Sequence, residues 1–291
     1  MAQTPPLAYD HIMRRPPQVG AHSWSARDAV IYNLGIGFGE AAIRDPRLLA
    51  YVLEERPRVF PTMVSILGMQ RGPWNDPDSN IDATGVLHGE ESIQIVRPLA
   101  VEGRLISSTR VAGIWDKGPG RGAVMRMERT LTDPNDGQHV ATVGSSLFLR
   151  NNGGFGGSSH GAPQPPSLPD RAPDGYRDMA TRPEQALLYR LAGDRNPLHA
   201  DPEAARQAGF GRPILMGLCT FAIVARALVD DCADADGDCL QSLSVRFSGV
   251  VFPGETVRVE YWKRNGSEVV FRARVTDRES FVLTGGRAIF R

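Results

Sequence analysis

The chain has 291 residues, with 33 Lys+Arg against 33 Asp+Glu and 41% hydrophobic residues. Zero net charge argues against a polyanion-binding surface, which carries a basic excess. The length allows one large domain or two small ones.

The N-terminus, MAQTPPLAYD, lacks the basic-then-apolar pattern of a secretion signal. The first helical stretch is Asp28 to Gly35, DAVIYNLG. Pro61 then opens an expected apolar helix, PTMVSILG. Ile93 to Ile106 reads as strand, small turn at Gly103, and strand. Two further strands follow, VMRMERTLTD and VGSSLFLR, ending at Arg150. Asn151 to Asp174, NNGGFGGSSHGAPQPPSLPDRAPD, has no apolar periodicity and reads as a linker supplying no core.

Beyond the linker, Thr181 and Glu184 have the spacing of a capping box. The helix it would open runs through Leu187, Leu188 and Leu191 to Gly193. Asp201 and Pro202 read as N-cap and first position of a short helix that Gly209 ends. Pro213 opens a long apolar helix. The run from Ile214 to Val229 contains Arg226, is too short to span a bilayer, and reads as buried. Val245 to Val257 is again strand, turn at Gly254, and strand. Here Val257, Val259 and Tyr261 alternate with Arg258 and Glu260. VVFRARVTD and TGGRAIFR close the chain.

The second half repeats the first in order. DAVIYNLG matches QALLYRLA, setting Tyr32 against Tyr189; Pro61 matches Pro213 and Gly103 matches Gly254. Such a series indicates a tandem duplication of a unit of about 120 residues. In each unit an apolar helix precedes alternating strands, which suit an antiparallel sheet with one wet face. The expected class is α+β, a double hot dog. Residues 1–150 form one repeat, 151–175 the linker and 176–291 the second repeat.

The repeats diverge between the two helices of the second unit. There Asp194, Asn196 and His199 fall within six residues, on a loop stiffened by Pro197. The first half has Gly35-Ile36-Gly37-Phe38-Gly39-Glu40 instead. An acid, an amide and an imidazole so placed suit proton transfer. Asx turns and a structural histidine are the plainer account.

The segment YRLAGDRNPLHADPEA, Tyr189 to Ala204, resembles the signature of the type 2, R-specific enoyl-CoA hydratases, the MaoC-like dehydratases. The likeness extends to LHGEESI at Leu87, WDKGPGRGA at Trp115, LRNNGGFGGSS at Leu149 and RFSGVVFPGET at Arg246. It implies reversible hydration of a trans-2-enoyl-CoA, from fatty acyl or steroid side-chain metabolism, to the (R)-3-hydroxyacyl-CoA.

It further implies that Asp194 and His199 form the catalytic pair, with the choice of base left open. Asn196 would orient that pair, and Gly217 would supply a backbone N–H to the enolate oxygen. The family usually has His before that glycine; this chain has Met216. His88, Gly89, Lys117, Arg195, Pro197, Leu198 and Phe247 match acyl-CoA contact positions. A solvated turn lysine fits Lys117 equally well. The first repeat, lacking the trio, would accommodate the acyl chain.

No cofactor and no metal are expected. Cys232 and Cys239 have no further Cys or His at ligand spacing. Three cysteines fit a reducing cytoplasm better than a disulfide framework, and the C-terminus carries no peroxisomal address. The partner would be a small-molecule acyl-CoA, not nucleic acid or membrane, with the chain as a homodimer. The glycine runs at Gly35 and Gly153 lack the GK[ST] of a phosphate loop, and His11, His22, His139 and His160 are assigned no role. The competing readings are a hot-dog thioesterase, which would release free CoA, and a non-catalytic acyl-CoA-binding protein.

Overall fold

A computed structural model describes residues 5–55, 57–161, 164 and 166–291. Linker positions 162, 163 and 165, like residues 1–4 of the N-terminus, lie outside them.

Among the described residues, ten strands form one antiparallel sheet. In chain order they are β1 (Gln18–Trp24), β2 (Val86–Ile95), β3 (Gly103–Asp116), β4 (Ala123–Thr132) and β5 (His139–Leu149), followed by β6 (Gly175–Ala180), β7 (Leu240–Phe247), β8 (Thr256–Lys263), β9 (Glu268–Val275) and β10 (Ser280–Phe290). Their spatial order is β1-β3-β4-β5-β2-β7-β10-β9-β8-β6. Each strand of the first half thus has a counterpart at the mirrored position, and β2 and β7 meet at the centre. Ser92 pairs with Ser244 there, Glu91 with Val245 and Ile93 with Leu243. Arg246 crosses the same seam to Glu90 at 2.7 Å. The alternation read at Val257, Val259 and Tyr261 faces these side chains into the core, with Arg258 and Glu260 on the other face.

Six α-helices among the described residues accompany the sheet: α1 (Tyr9–Met13), α2 (Ala26–Gly35), α3 (Phe38–Arg44), α4 (Gln185–Tyr189), α5 (Pro202–Gln207) and α6 (Gly217–Cys232). α6 is the central one. Every residue from Leu218 to Val229 is buried, so the helix is apolar nearly all round, as a core helix should be. Arg226 is the exception. Its guanidinium donates to the Ile36 carbonyl at 3.2 Å and lies 5.0 Å over the Phe38 ring. The Cys219 thiol and the Gln185 amide both point to the Gly35 carbonyl. The glycine run at Gly35 is therefore a joint between halves. Gly37 sits at φ 91°, and a Cβ there would come within 2.9 Å of the Arg226 guanidinium. The aligned tyrosines meet at this joint: Tyr32 and Tyr189 are fully buried with ring centroids 5.8 Å apart.

Three local expectations are corrected. The helix expected from Pro61 is only a 3-10 segment, Pro61–Ser65. Residues 61–68 are all buried, as expected, but Gly68 takes φ +64° and packs against Ser107, ending the run. α6 has neither Gly nor Pro after its first residue, so it continues. The first repeat therefore lacks the central helix of its twin.

The capping box at Thr181 is also absent. Its hydroxyl donates to the Glu255 carbonyl at 2.7 Å and accepts from the Gly254 N–H at 2.9 Å. Glu184 pairs instead with Arg182. A capping box does open α2, where Ser25 and Asp28 bond reciprocally.

The start of the linker, finally, is part of the first half's packing. Phe155 packs against the small cluster around Ile12, Met125 and Leu149 and stacks on Tyr9 at 5.8 Å. Asp116, only 5% exposed at the end of β3, organises this region. Its carboxylate accepts N–H groups from Gly118 (2.8 Å), Gly154 (2.7 Å) and Gly156 (2.8 Å). Burial alone raises its pKa, but these donors outweigh it and hold the carboxyl below its ordinary range. Gly153 crosses close to the turn after β3, where a Cβ would lie 2.4 Å from the Gly118 carbonyl.

Two outcomes are expected. Phe221→Ala, at a fully buried site on α6, should cost about 3–5 kcal/mol in denaturant unfolding. Ile43→Ala, at an 85% exposed site, should stay within about 0.5 kcal/mol. For Asp116, a depressed pKa means that the ionised form stabilises the fold. That contribution is complete above the ordinary aspartate value of 3.8 and is lost as pH falls through the depressed one. Asp116→Asn should therefore lower Tm by about 2–4 °C at neutral pH. The gap between variant and parent should narrow as pH is taken below 3.8.

Candidate functional site

The loop between α4 and α5 is built by short-range capping. After the single 3-10 turn Arg190–Ala192, Gly193 reverses the chain at φ 136°. The Asp194 carboxylate accepts the Asn196 N–H at 3.1 Å, and the Asn196 carbonyl oxygen Oδ1 accepts the Leu198 N–H at 3.1 Å. Asn196 thereby caps the 3-10 turn Pro197–His199, and Pro197 fits its first position. Asp201 and Pro202 start α5, and Gly209 follows at φ 87°, as read from the sequence.

His199 is the buried member of the trio, at 8% exposure. Its Nδ1 lies 2.9 Å from the Ile214 carbonyl oxygen. A carbonyl can only accept, so Nδ1 carries the hydrogen and Nε2 is left to exchange protons. Asp194 is half-buried and Asn196 exposed.

Ile214 belongs to the segment that leads into α6. The Leu215 N–H is held by the Val251 carbonyl at 2.7 Å, and Met216 is the N-cap. Gly217 is the first helical residue. N–H groups of a helix's first turn have no intrahelical partner, and the helix dipole there favours negative charge. An added Cβ on Gly217 would lie 3.1 Å from the Phe247 ring. Met216 is fully buried within the core.

Phe247, at the end of β7, in turn touches the first half. Its ring centroid lies 4.8 Å from that of His88 on β2. Gly89 sits at a register shift between β2 and β5, with space for a Cβ only 3.3 Å from the Ser146 carbonyl. His199 is thus tied to Ile214, three residues before Gly217, and from Gly217 the series continues through Phe247 to His88 and Gly89 across the seam.

Lys117 does not touch this chain. It lies in the turn from β3 to β4, closed by Lys117 N–H to the Gly122 carbonyl at 3.0 Å. Asp116 pairs with Ala123, Ala123 with Leu149 and Leu149 with Val86, so this turn is at the same end of the sheet as the start of β2. Of the other loop positions, Arg195 and Pro197 are exposed and Leu198 is half-buried. The Arg195 carbonyl accepts from Arg190 at 3.3 Å.

Two carboxylates at this end were missed in the sequence. Asp116 collects N–H groups from Gly118 just after it and from Gly154 and Gly156 in the glycine run after β5. Glu91 has the same parity as Ile93 and Ile95, a signal of an inward acid in an otherwise apolar face.

Comparison with known proteins identifies the family. The MaoC-like domain family matches residues 165–283, and the N-terminal domain of MFE-2 hydratase 2 matches residues 22–151. Enoyl-CoA hydratase ChsH3 of Mycobacterium tuberculosis is 40% identical over 268 residues, covering 91% of this chain and 92% of its own. The peroxisomal enoyl-CoA hydratase 2 of Arabidopsis thaliana is 37% identical, covering 91% and 89%. The crystal structure of a MaoC-like dehydratase from Phytophthora capsici superposes with a TM-score of 0.86 at 33% identity, over 97% of this chain and 98% of that one. A Mycobacterium tuberculosis protein described as having a double hot-dog fold shares that fold at 17% identity, with a TM-score of 0.59 over 95% and 97% of the two chains. With a palindromic sheet, a second-half polar loop and these relatives, the chain belongs to the MaoC-like dehydratase family, in its double hot-dog form.

Proposed function

We propose that the protein is a hydro-lyase that adds water reversibly across a trans-2-enoyl-CoA to give the (R)-3-hydroxyacyl-CoA. One observation carries the reading. The carbonyl that fixes His199 belongs to Ile214, three residues before Gly217. The proton-transfer group and the helix start are therefore held in one short, tied segment.

The reaction needs a held water, a proton route to Cα and stabilisation of charge on the thioester oxygen. Asp194 and His199 Nε2 bind the water. Nε2 can exchange a proton without breaking the bond from Nδ1 to Ile214. The water's hydroxyl goes to Cβ and its proton, by way of this pair, to Cα. Meanwhile the thioester oxygen takes up enolate charge opposite the Gly217 N–H, where the missing side chain permits close approach. Asn196 keeps the loop in shape by accepting the Leu198 N–H. His88, Gly89 and Phe247 line the thioester and pantetheine end, Arg195, Pro197 and Leu198 border it, and Lys117 meets a CoA phosphate. Met216, buried in the core, makes no contact of the kind a histidine would make there.

The first half, without a counterpart of α6, accommodates the acyl chain, of fatty acyl or steroid side-chain type. We place the chain in the cytoplasm as a homodimer; no described helix is long and apolar enough to cross a membrane. Sedimentation at twice 31.7 kDa would support the dimer.

Asp194→Asn and His199→Ala should each lower kcat on crotonyl-CoA by about 10²–10⁴-fold with unchanged circular dichroism; near-parental turnover in either removes the assignment. Gly217→Ala should lower kcat about tenfold or more by crowding the oxyanion position against Phe247. The product should be the (R)-alcohol with the thioester intact. Free thiol would favour a thioesterase, and (S)-product would overturn the stereochemistry.

A further inference from the structure

His88 and Glu91 are three residues apart on a strand, a spacing that puts side chains on opposite faces of a regular sheet. Here they face the same way. In the pairing of β2 with β5, His88 opposes Leu147 and Glu90 opposes Ser146, so Gly89 is an extra residue. Such a bulge shifts the parity of the strand by one. As a result His88 turns to the side of the strand where Glu91, Ile93 and Ile95 point, although unlike them it stays exposed. Glu91 is only 1% exposed.

The contact that results is specific. His88 Nε2 lies 3.0 Å from Glu91 Oε2 and 3.1 Å from the backbone carbonyl of Glu90. The carbonyl can only accept, so Nε2 carries a hydrogen and Nδ1 is the open nitrogen. Ser145 Oγ donates to the same Glu91 oxygen at 2.6 Å. A buried carboxylate is costly unless it is bonded and its charge is answered. The buried Arg129, which donates to the Ser65 carbonyl, is close enough to Glu91 to interact electrostatically. Glu91 is thus held by the Ser145 hydroxyl, and the same oxygen meets the imidazole that packs on Phe247.

We propose that Glu91 is a positioning residue for acyl-CoA binding: from beneath the bulge at Gly89 it holds His88 in the Nε2–H form against Phe247, with Nδ1 turned to the bound thioester. This rests on the reading that His88 contacts acyl-CoA. Glu91 itself does not touch substrate. Its loss frees the ring to rotate, which weakens binding more than it slows the chemistry at Asp194 and His199.

The test combines kinetics with crotonyl-CoA and nitrogen-15 NMR of the His88 imidazole in the full chain. Glu91→Ala should raise KM about tenfold with kcat within about threefold, whereas Glu91→Gln, which keeps an acceptor, should stay within about threefold on both. Glu91→Ala should add nothing in a His88→Ala background, since it acts through that ring. In the parent chain His88 should show the Nε2–H tautomer.

A full, additive loss in the His88→Ala background overturns the proposal, as does an unchanged KM in Glu91→Ala. So does an Nδ1–H tautomer in the parent, which decides the matter even if Glu91→Ala fails to fold. Failure of the hydratase reading has a different signature: the parent chain would not hydrate crotonyl-CoA, while the tautomer, read without substrate, would stand unchanged.

Discussion

The antiparallel pairing of β2 with β7 is the constraint on which the rest depends. It joins two five-stranded sheets edge to edge, and removes from each half the edge strand that would otherwise be open to pairing with another chain. It also fixes the register in which first-half side chains meet second-half ones. Because Ser92 opposes Ser244, the His88 end of β2 lies beside the Phe247 end of β7. The contact between those two rings follows from this register together with the bulge at Gly89, which turns His88. Behind the sheet, α6 and α4 grip the Gly35 and Ile36 carbonyls, so the halves are also tied through their helices. A site assembled from both halves requires this double attachment.

The fold is readable in the sequence to the extent that it follows from period-two alternation and from order. Strand alternation and the matched tyrosines and turn glycines identify the duplication, and the palindromic sheet is its spatial form. The polar loop was legible for a similar reason. Asp194, Asn196 and Asp201 act through hydrogen bonds to residues two positions away, and Pro197 through its own ring, so their structure is written locally. The misread elements have longer-range causes. The Thr181 hydroxyl is taken by the turn at Gly254, more than seventy residues distant. The run after Pro61 is buried whether helical or not, and only its packing against Ser107 shows why it stops. The bulge at Gly89 exists relative to β5, so no inspection of β2 alone could reveal which way His88 points.

The two carboxylates Asp116 and Glu91 illustrate opposite solutions to one problem. Both are almost completely buried. Asp116 is surrounded by backbone N–H groups, which are available because glycines let two stretches of chain crowd together. Glu91 relies on side chains, a hydroxyl and an imidazole, with a guanidinium nearby. The first arrangement makes a rigid loop anchor. The second leaves one partner able to move, which suits a group near a ligand.

The pseudo-twofold axis through Ser92 and Ser244 has a genetic consequence. In an assembly of two identical units, every substitution is made twice, and a side chain useful on one side must be tolerated on the other. Here the axis maps Glu91 onto Leu243, a buried acid onto a buried leucine. An acid at both places would bring two uncompensated carboxylates to the centre of the sheet. Covalent fusion lets one copy of a position change its chemistry while its twin remains packing, and the molecule can hold unlike residues at equivalent points of an otherwise symmetrical frame.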